Sequence, residues 1–111
     1  MKRSITSTIF CFFVFAAFSI SNIQAQEICP GADVLIHTEG MTFTPDAIEI
    51  YVGTMVGWVN TGGMHNANGN ISSLDGLSFN NPEPFSFDLI TVTDEPACIG
   101  TFQFTVLGEY N

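Results

Sequence analysis

The sequence predicts an all-β domain, a sandwich or barrel of short strands. Three observations predict it: helical periodicity is absent, turn residues recur densely along the chain, and the runs between them alternate apolar and polar residues. Turn signals stand at Glu39-Gly40, Pro45-Asp46, Gly53, Thr61 to Gly63, Asn68 to Asn70, Asp75-Gly76, Pro82 to Pro84, Asp94 to Pro96 and Gly108. Five strands fit between them. Val34 to His37 is the first, Ile48 to Val52 the second and Met55 to Asn60, built around Trp58, the third. In the fourth, Phe85, Phe87 and Leu89 alternate with Ser86, Asp88 and Ile90. In the fifth, Phe102, Phe104 and Val106 alternate with Thr101, Gln103 and Thr105. A period of two sends one set of side chains to the core and the other to solvent.

The first 25 residues belong to a different kind of segment. Lys2 and Arg3 precede an apolar run from Ile9 to Ile20, and small Ala25 follows a more polar stretch. That is the layout of a secretory signal peptide, with cleavage expected after Ala25. The run is shorter than the about 20 residues a membrane span requires. The expected product is therefore residues 26–111, one domain, exported to the periplasm or beyond the cell and not inserted in a membrane.

Removing residues 1–25 leaves eleven carboxylates and no Lys or Arg. Such a surface has no cation to exchange for the counterions of a phosphate backbone, which argues against nucleic acid and anionic lipid as partners. Solubility is its plain role; steering of a basic protein partner is the second. A domain of this size buries only about 60–65% of its unfolded surface and gains from a cross-link. Cys29 and Cys98 remain after cleavage, with no Cys or His at metal-ligand spacing from either. In an oxidising compartment they are expected to form a disulfide. Closing a loop of about 70 residues stabilises by about 4 kcal/mol in the chain-entropy treatment.

No GxSxG elbow, phosphate-cradling glycine loop or HExxH motif is present, so hydrolytic and nucleotide chemistry has no motif to rest on and the chain is not expected to be an enzyme. The informative stretch runs from Tyr51 to Asn66. A strand with inward Val56 and Trp58 ends at Asn60, turns through Gly62 and Gly63, and delivers His65. An imidazole on a loop at the pole of a β-domain suits a metal, because it is neutral near pH 7 and its orientation can be fixed by the fold. A lone His on a glycine loop is, from spacing alone, more often an ordinary surface residue than a ligand.

The elements Phe43-Thr44-Pro45, Ile48-x-Ile50-x-Val52-Gly53, Val56-x-Trp58-x-Asn60 and His65-Asn66 together resemble the N-terminal two-thirds of the plastocyanin and azurin family, the blue copper proteins or cupredoxins. The tail from Phe102 to Asn111 resembles that family's following strand, tight turn and start of the next strand. The resemblance implies a Greek-key β-sandwich that lacks its last strand. It implies that His65 is a copper ligand and Asn66 a tether hydrogen-bonded across to the second ligand loop. It also implies one-electron transfer with a redox protein partner. In relatives the ligand Cys, the second His and usually an axial Met follow where this sequence ends, so the chain is expected to be a truncated one that offers a single ligand of the set. Cys98 lies too early to be the ligand Cys, His37 sits in the first strand, and Met64 is expected to pack or face solvent. Two other outcomes stay open: a copper-sequestering module without redox traffic, and a metal-free β-sandwich interaction domain. The spacing Asn66-x-Asn68-x-Asn70 resembles the opening of a calcium loop but lacks its acidic residues and closing Glu. Asn70-Ile71-Ser72 is a glycosylation acceptor only in a host with that machinery.

Overall fold

The computed structural model describes residues 28–111. The expected signal peptide and its cleavage position lie outside the described residues. Among the described residues there is no helix, and six strands form two sheets. Strands β1 (Val34–Glu39), β2 (Thr42–Thr44), β3 (Met55–Asn60) and β6 (Ala97–Gln103) make one sheet in the order β2-β1-β3-β6. Strands β4 (Gly63–His65) and β5 (Ile90–Val92) make the other. The larger sheet is mixed, since β1 and β3 are parallel while β1/β2 and β3/β6 are antiparallel.

Local chemistry explains the ends of these elements. β1 turns into β2 through Gly40 and Met41, with Glu39 opposite Thr42. Gly40 takes φ 59°, a conformation a two-residue hairpin loop needs and a side chain resists. The carboxylate of Asp33 accepts a 2.9 Å hydrogen bond from the Met55 amide, and the Asp33 amide donates to the Met55 carbonyl at 2.7 Å. Those two bonds fix where β1 and β3 begin side by side.

β3 separates two clusters. Val56 and Trp58 face an aromatic core with Ala67, Ile99 and Phe104, against which Ile36, Ile50, Phe85, Phe87, Phe102 and Tyr110 pack. Trp58 lies 4.9 Å from Phe85 and 5.6 Å from Phe87, centroid to centroid, at tilted angles that suit the ring quadrupoles. Gly57 and Val59 face the other way, toward Cys29 and Ala32. A β-carbon on Gly57 would stand 2.8 Å from that of Cys29, so only glycine admits the disulfide layer here.

β6 contains one extra residue. Trp58 pairs with Gly100 and Val59 with Cys98, so Ile99 is a bulge. Strict alternation would turn Cys98 to the same face as Phe102 and Phe104, into the aromatic core. The bulge reverses that assignment: Ile99 enters the core and Cys98 turns to the opposite face. There it meets Cys29 in a disulfide with Cα atoms 5.2 Å apart and a sequence separation of 69.

Three strand assignments need correction. Ile48–Val52 forms no strand; its alternation sends Ile50 to the core, but no ladder partner exists for its backbone among the described residues. Phe85–Ile90 is a strand only at its last residue, which opens β5. Upstream, a single bridge joins Ser86 to Asn68, with the Gly69 amide donating to Phe85 and the Phe87 amide to Ala67. Its inward residues are Phe85, Phe87 and Ile90, while Leu89 is exposed, so the alternation breaks between Phe87 and Ile90. The last strand starts earlier than expected, at Ala97, and ends at Gln103. Phe104 still pairs with Gly53 and Thr54, but the Glu83 carboxylate then captures both the amide and the hydroxyl of Thr105 and ends the ladder.

Two outcomes follow from these bonds. Replacing Cys29 and Cys98 together by Ser should lower the unfolding free energy by about 4 kcal/mol in a denaturant titration, the loop-closure value. A loss under about 1 kcal/mol would mean that the cross-link merely decorates the fold. Hydrogen bonds from Thr105 hold the Glu83 carboxyl below its ordinary value of 4.5. A depressed carboxyl stabilises the folded state above its unfolded value, and that contribution disappears as the pH falls through the folded value. The thermal midpoint of Glu83→Gln should therefore depend less on pH below 4.5 than that of the parent chain; parallel curves would remove Glu83 from the acid response.

Candidate functional site

The segment that presents His65 is organised by one buried side chain. Asn60, the last residue of β3, is fully buried. Its Nδ2 donates to the carbonyls of Gly63 at 2.9 Å and Ile90 at 3.1 Å. Its Oδ1 accepts from the Gly62 amide at 2.9 Å and from the Thr38 hydroxyl at 3.4 Å. Both donors and both acceptor positions of the carboxamide are thus used. Thr38, buried on β1, also accepts from the Thr61 amide at 2.9 Å, and the Thr61 hydroxyl donates to the Thr38 carbonyl. β1, β3, the 61–63 turn, β4 and β5 are joined through one carboxamide and one threonine pair.

That turn requires Gly63, whose φ is 82°. It leads into β4, where His65 pairs with Ile90. The imidazole is half-buried and folds back over the turn, with Nε2 3.5 Å from where a β-carbon on Gly63 would lie. Anchoring the backbone at Asn60 sets the position of the ring. Asn66 is exposed, and its carboxamide makes no hydrogen bond among the described residues.

The other polar candidates sit elsewhere. His37 lies on β1 between Thr44 and Val59. The sulfur of Cys98 is bonded to that of Cys29. Met64 is exposed on β4. Among the described residues no three His, Cys, Asp or Glu side chains converge as a metal cluster. A blue copper set needs two imidazoles and a thiolate. The described residues hold one imidazole in a suitable place and no free thiol, so by themselves they do not fit the metal.

The long stretch from Asn66 to Pro84 is held by side chains that bond to its own backbone. Asn68 Oδ1 accepts from the amides of Asn70 and Ile71, and its Nδ2 donates to the Ile71 carbonyl at 2.6 Å. That carboxamide closes a turn, which leaves the calcium-like spacing with a structural explanation. Ser72, Asp75 and Ser78 each accept from an amide two residues on. Asn81 Nδ2 donates to the carbonyls of Gly69 and Asn111, and its Oδ1 accepts from the Asn111 amide.

Asn60 is the positioning residue that the sequence left unassigned. It was legible only as the end of a strand, although a buried amide residue directly before a glycine turn is the kind that must find partners in that turn. Comparison with protein-family models, with curated proteins and with solved structures finds no match for this chain. The fold and the site therefore define a class, an all-β, disulfide-linked domain presenting one histidine on an anchored turn.

Replacing Asn60 by Leu should cost about 3–4 kcal/mol, because buried carbonyls and an amide lose their partners at about 1–3 kcal/mol each. Amides 61–65 should exchange faster than those of β6 in that variant. Equal acceleration across both segments would show that Asn60 supports the whole fold without special action on the turn.

Proposed function

We propose that this chain belongs to an exported copper-binding domain of the plastocyanin and azurin type, serving one-electron transfer, with His65 as one ligand. The observation that carries the reading is the Asn60 carboxamide. It pins the carbonyl of Gly63 and the amide of Gly62, so the turn before His65 is held rigidly at its base. Rigid placement is what a metal ligand requires and what an ordinary surface histidine does not.

The Greek-key β-sandwich belongs to the same proposal. The mixed sheet, the aromatic layer over Trp58 and the small second sheet support it. In this reading His65 supplies one ligand of the set, and Asn66 tethers the loop that carries the others. An acidic surface with no Lys or Arg beyond Arg3 favours a redox partner of opposite charge.

The test is copper itself. Residues 26–111 should bind cupric ion through a single imidazole, and His65→Ala should weaken the tightest site at least tenfold while His37→Ala leaves it unchanged. Electron paramagnetic resonance of the nitrogen donor distinguishes the two. Where the reading frame continues past Asn111, copper bound by that product should give an intense visible thiolate-to-metal band. Binding indifferent to His65→Ala would end the proposal. A longer product that binds copper through His and Met without that band would indicate sequestration instead.

A further inference from the structure

A trough of about 910 Å³ opens onto the aromatic core. Ile36, Val56, Trp58, Phe85 and Phe104 form its floor. One wall is Asp46 to Val52, and the other is Val106 to Asn111. Apolar Ile48, Val52, Val106 and Leu107 are more than a third exposed along these walls. Small-molecule sites of about 300–1,000 Å³ combine such an apolar lining with a few polar groups. The polar side chains of this rim carry one sign of charge. Asp46, Glu49 and Glu109 are exposed in the walls, and the described residues contain no Lys or Arg to answer them. The wall backbone adds acceptors. Among the described residues, the carbonyls of Ile48 to Ile50 and of Leu107 to Tyr110 have no backbone partner.

We infer that the trough binds a small hydrophobic amine, an aromatic or branched apolar body carrying one protonated nitrogen. The body covers the floor, where the rings of Trp58, Phe85 and Phe104 offer faces and edges to an aromatic guest. The ammonium group stays at the rim and donates to the carboxylates there and to the free wall carbonyls. Charge selects this occupant. A fatty acid or a nucleotide would set its anionic group among three carboxylates with no cation between them. A second copy of the described domain would bring its own carboxylates against the same rim. A neutral apolar molecule would use the floor and leave the rim without a counter-charge. His65 does not line the trough, so the inference goes beyond the copper reading and does not rest on it.

The test titrates the copper-free exported protein with naphthylethylamine, using naphthylethanol and naphthylpropionate as neutral and anionic counterparts. Calorimetry gives the affinities and amide chemical shifts locate the site. The amine should bind saturably at one site, about fivefold tighter than the alcohol or more, with the acid weakest. Added salt should narrow that margin. Shifts should concentrate at Ile48–Ile50 and Leu107–Tyr110. Asp46→Asn, Glu49→Gln and Glu109→Gln together change only exposed side chains, so the fold should survive. That triple variant should bind the amine no better than the alcohol, whose affinity stays at the parent value. No saturable binding, equal affinity of the parent for amine and alcohol, or a preference that survives the triple substitution would each overturn the inference. So would shifts confined to residues outside the walls and floor. Binding of a Lys-rich peptide without binding of the amine would overturn it in favour of a protein partner.

Discussion

The buried carboxamide of Asn60 is the constraint on which the arrangement of the two sheets depends. A carboxamide excluded from water must satisfy two donors and two acceptor positions inside the protein, or pay a penalty comparable to much of a small domain's stability. Asn60 satisfies all of them with backbone and side-chain groups drawn from β1, the 61–63 turn and β5. Each bond therefore fixes one element relative to β3. Hydrophobic contacts around Trp58 bring the sheets together without specifying a register, whereas Asn60 sets where Ile90 and Gly63 lie. The pairing of His65 with Ile90 then follows from geometry, as both chain segments start from the same anchor.

The bulge at Ile99 plays the matching role on the opposite face. It allows one strand to supply Ile99 and Phe102 to the aromatic core and Cys98 to the disulfide, which strict alternation forbids. Gly57 makes the complementary concession on β3 by leaving room for Cys29. A bulge on one strand and a glycine on its neighbour thus let the sheet bury apolar groups on both faces. In a domain of this size, the second, smaller cluster adds burial that a single core does not supply.

Much of the architecture was legible in the sequence. Strands β1 and β3 were readable because Val34 to His37 and Met55 to Asn60 carry β-branched and aromatic residues between clear turn signals. The inward positions of Val56, Trp58, Phe85, Phe87 and Phe104 follow from period two and are found in the core. What was not legible depended on groups outside the segment concerned. Alternation at Ile48 to Val52 describes which side chains face the core, yet a strand also needs a neighbour's backbone, and pattern alone carries no information about that neighbour. β2, β4 and β5 span only three residues each, too few for alternation to register, and they exist because hairpin and Asn60 bonds place them. The bulge is equally silent, since Ile99 is apolar in either register. Of the candidate site, the location of His65 on a glycine turn was readable, while the Asn60 anchor emerged only from tertiary contacts.

The distribution of polar order bears on what the domain is for. Glu83, Asn81 and Asn68 spend their side chains on holding irregular backbone between His65 and Asn111. Burial and the neighbouring Glu83 carboxylate push the Tyr110 hydroxyl up from its ordinary value, and that hydroxyl donates to the Val106 carbonyl at 2.8 Å. A loop that served only to connect strands would need none of this, because connecting segments tolerate mobility at little cost in stability. Here the ordering is concentrated on the flank that runs from the loop after His65 to the residues around Thr105 and Asn111. Asn81 ties the two ends of that flank together, bonding to Gly69 in the loop after His65 and to Asn111. Order in the loop after His65 and order of the backbone at Asn111 are therefore one physical problem rather than two.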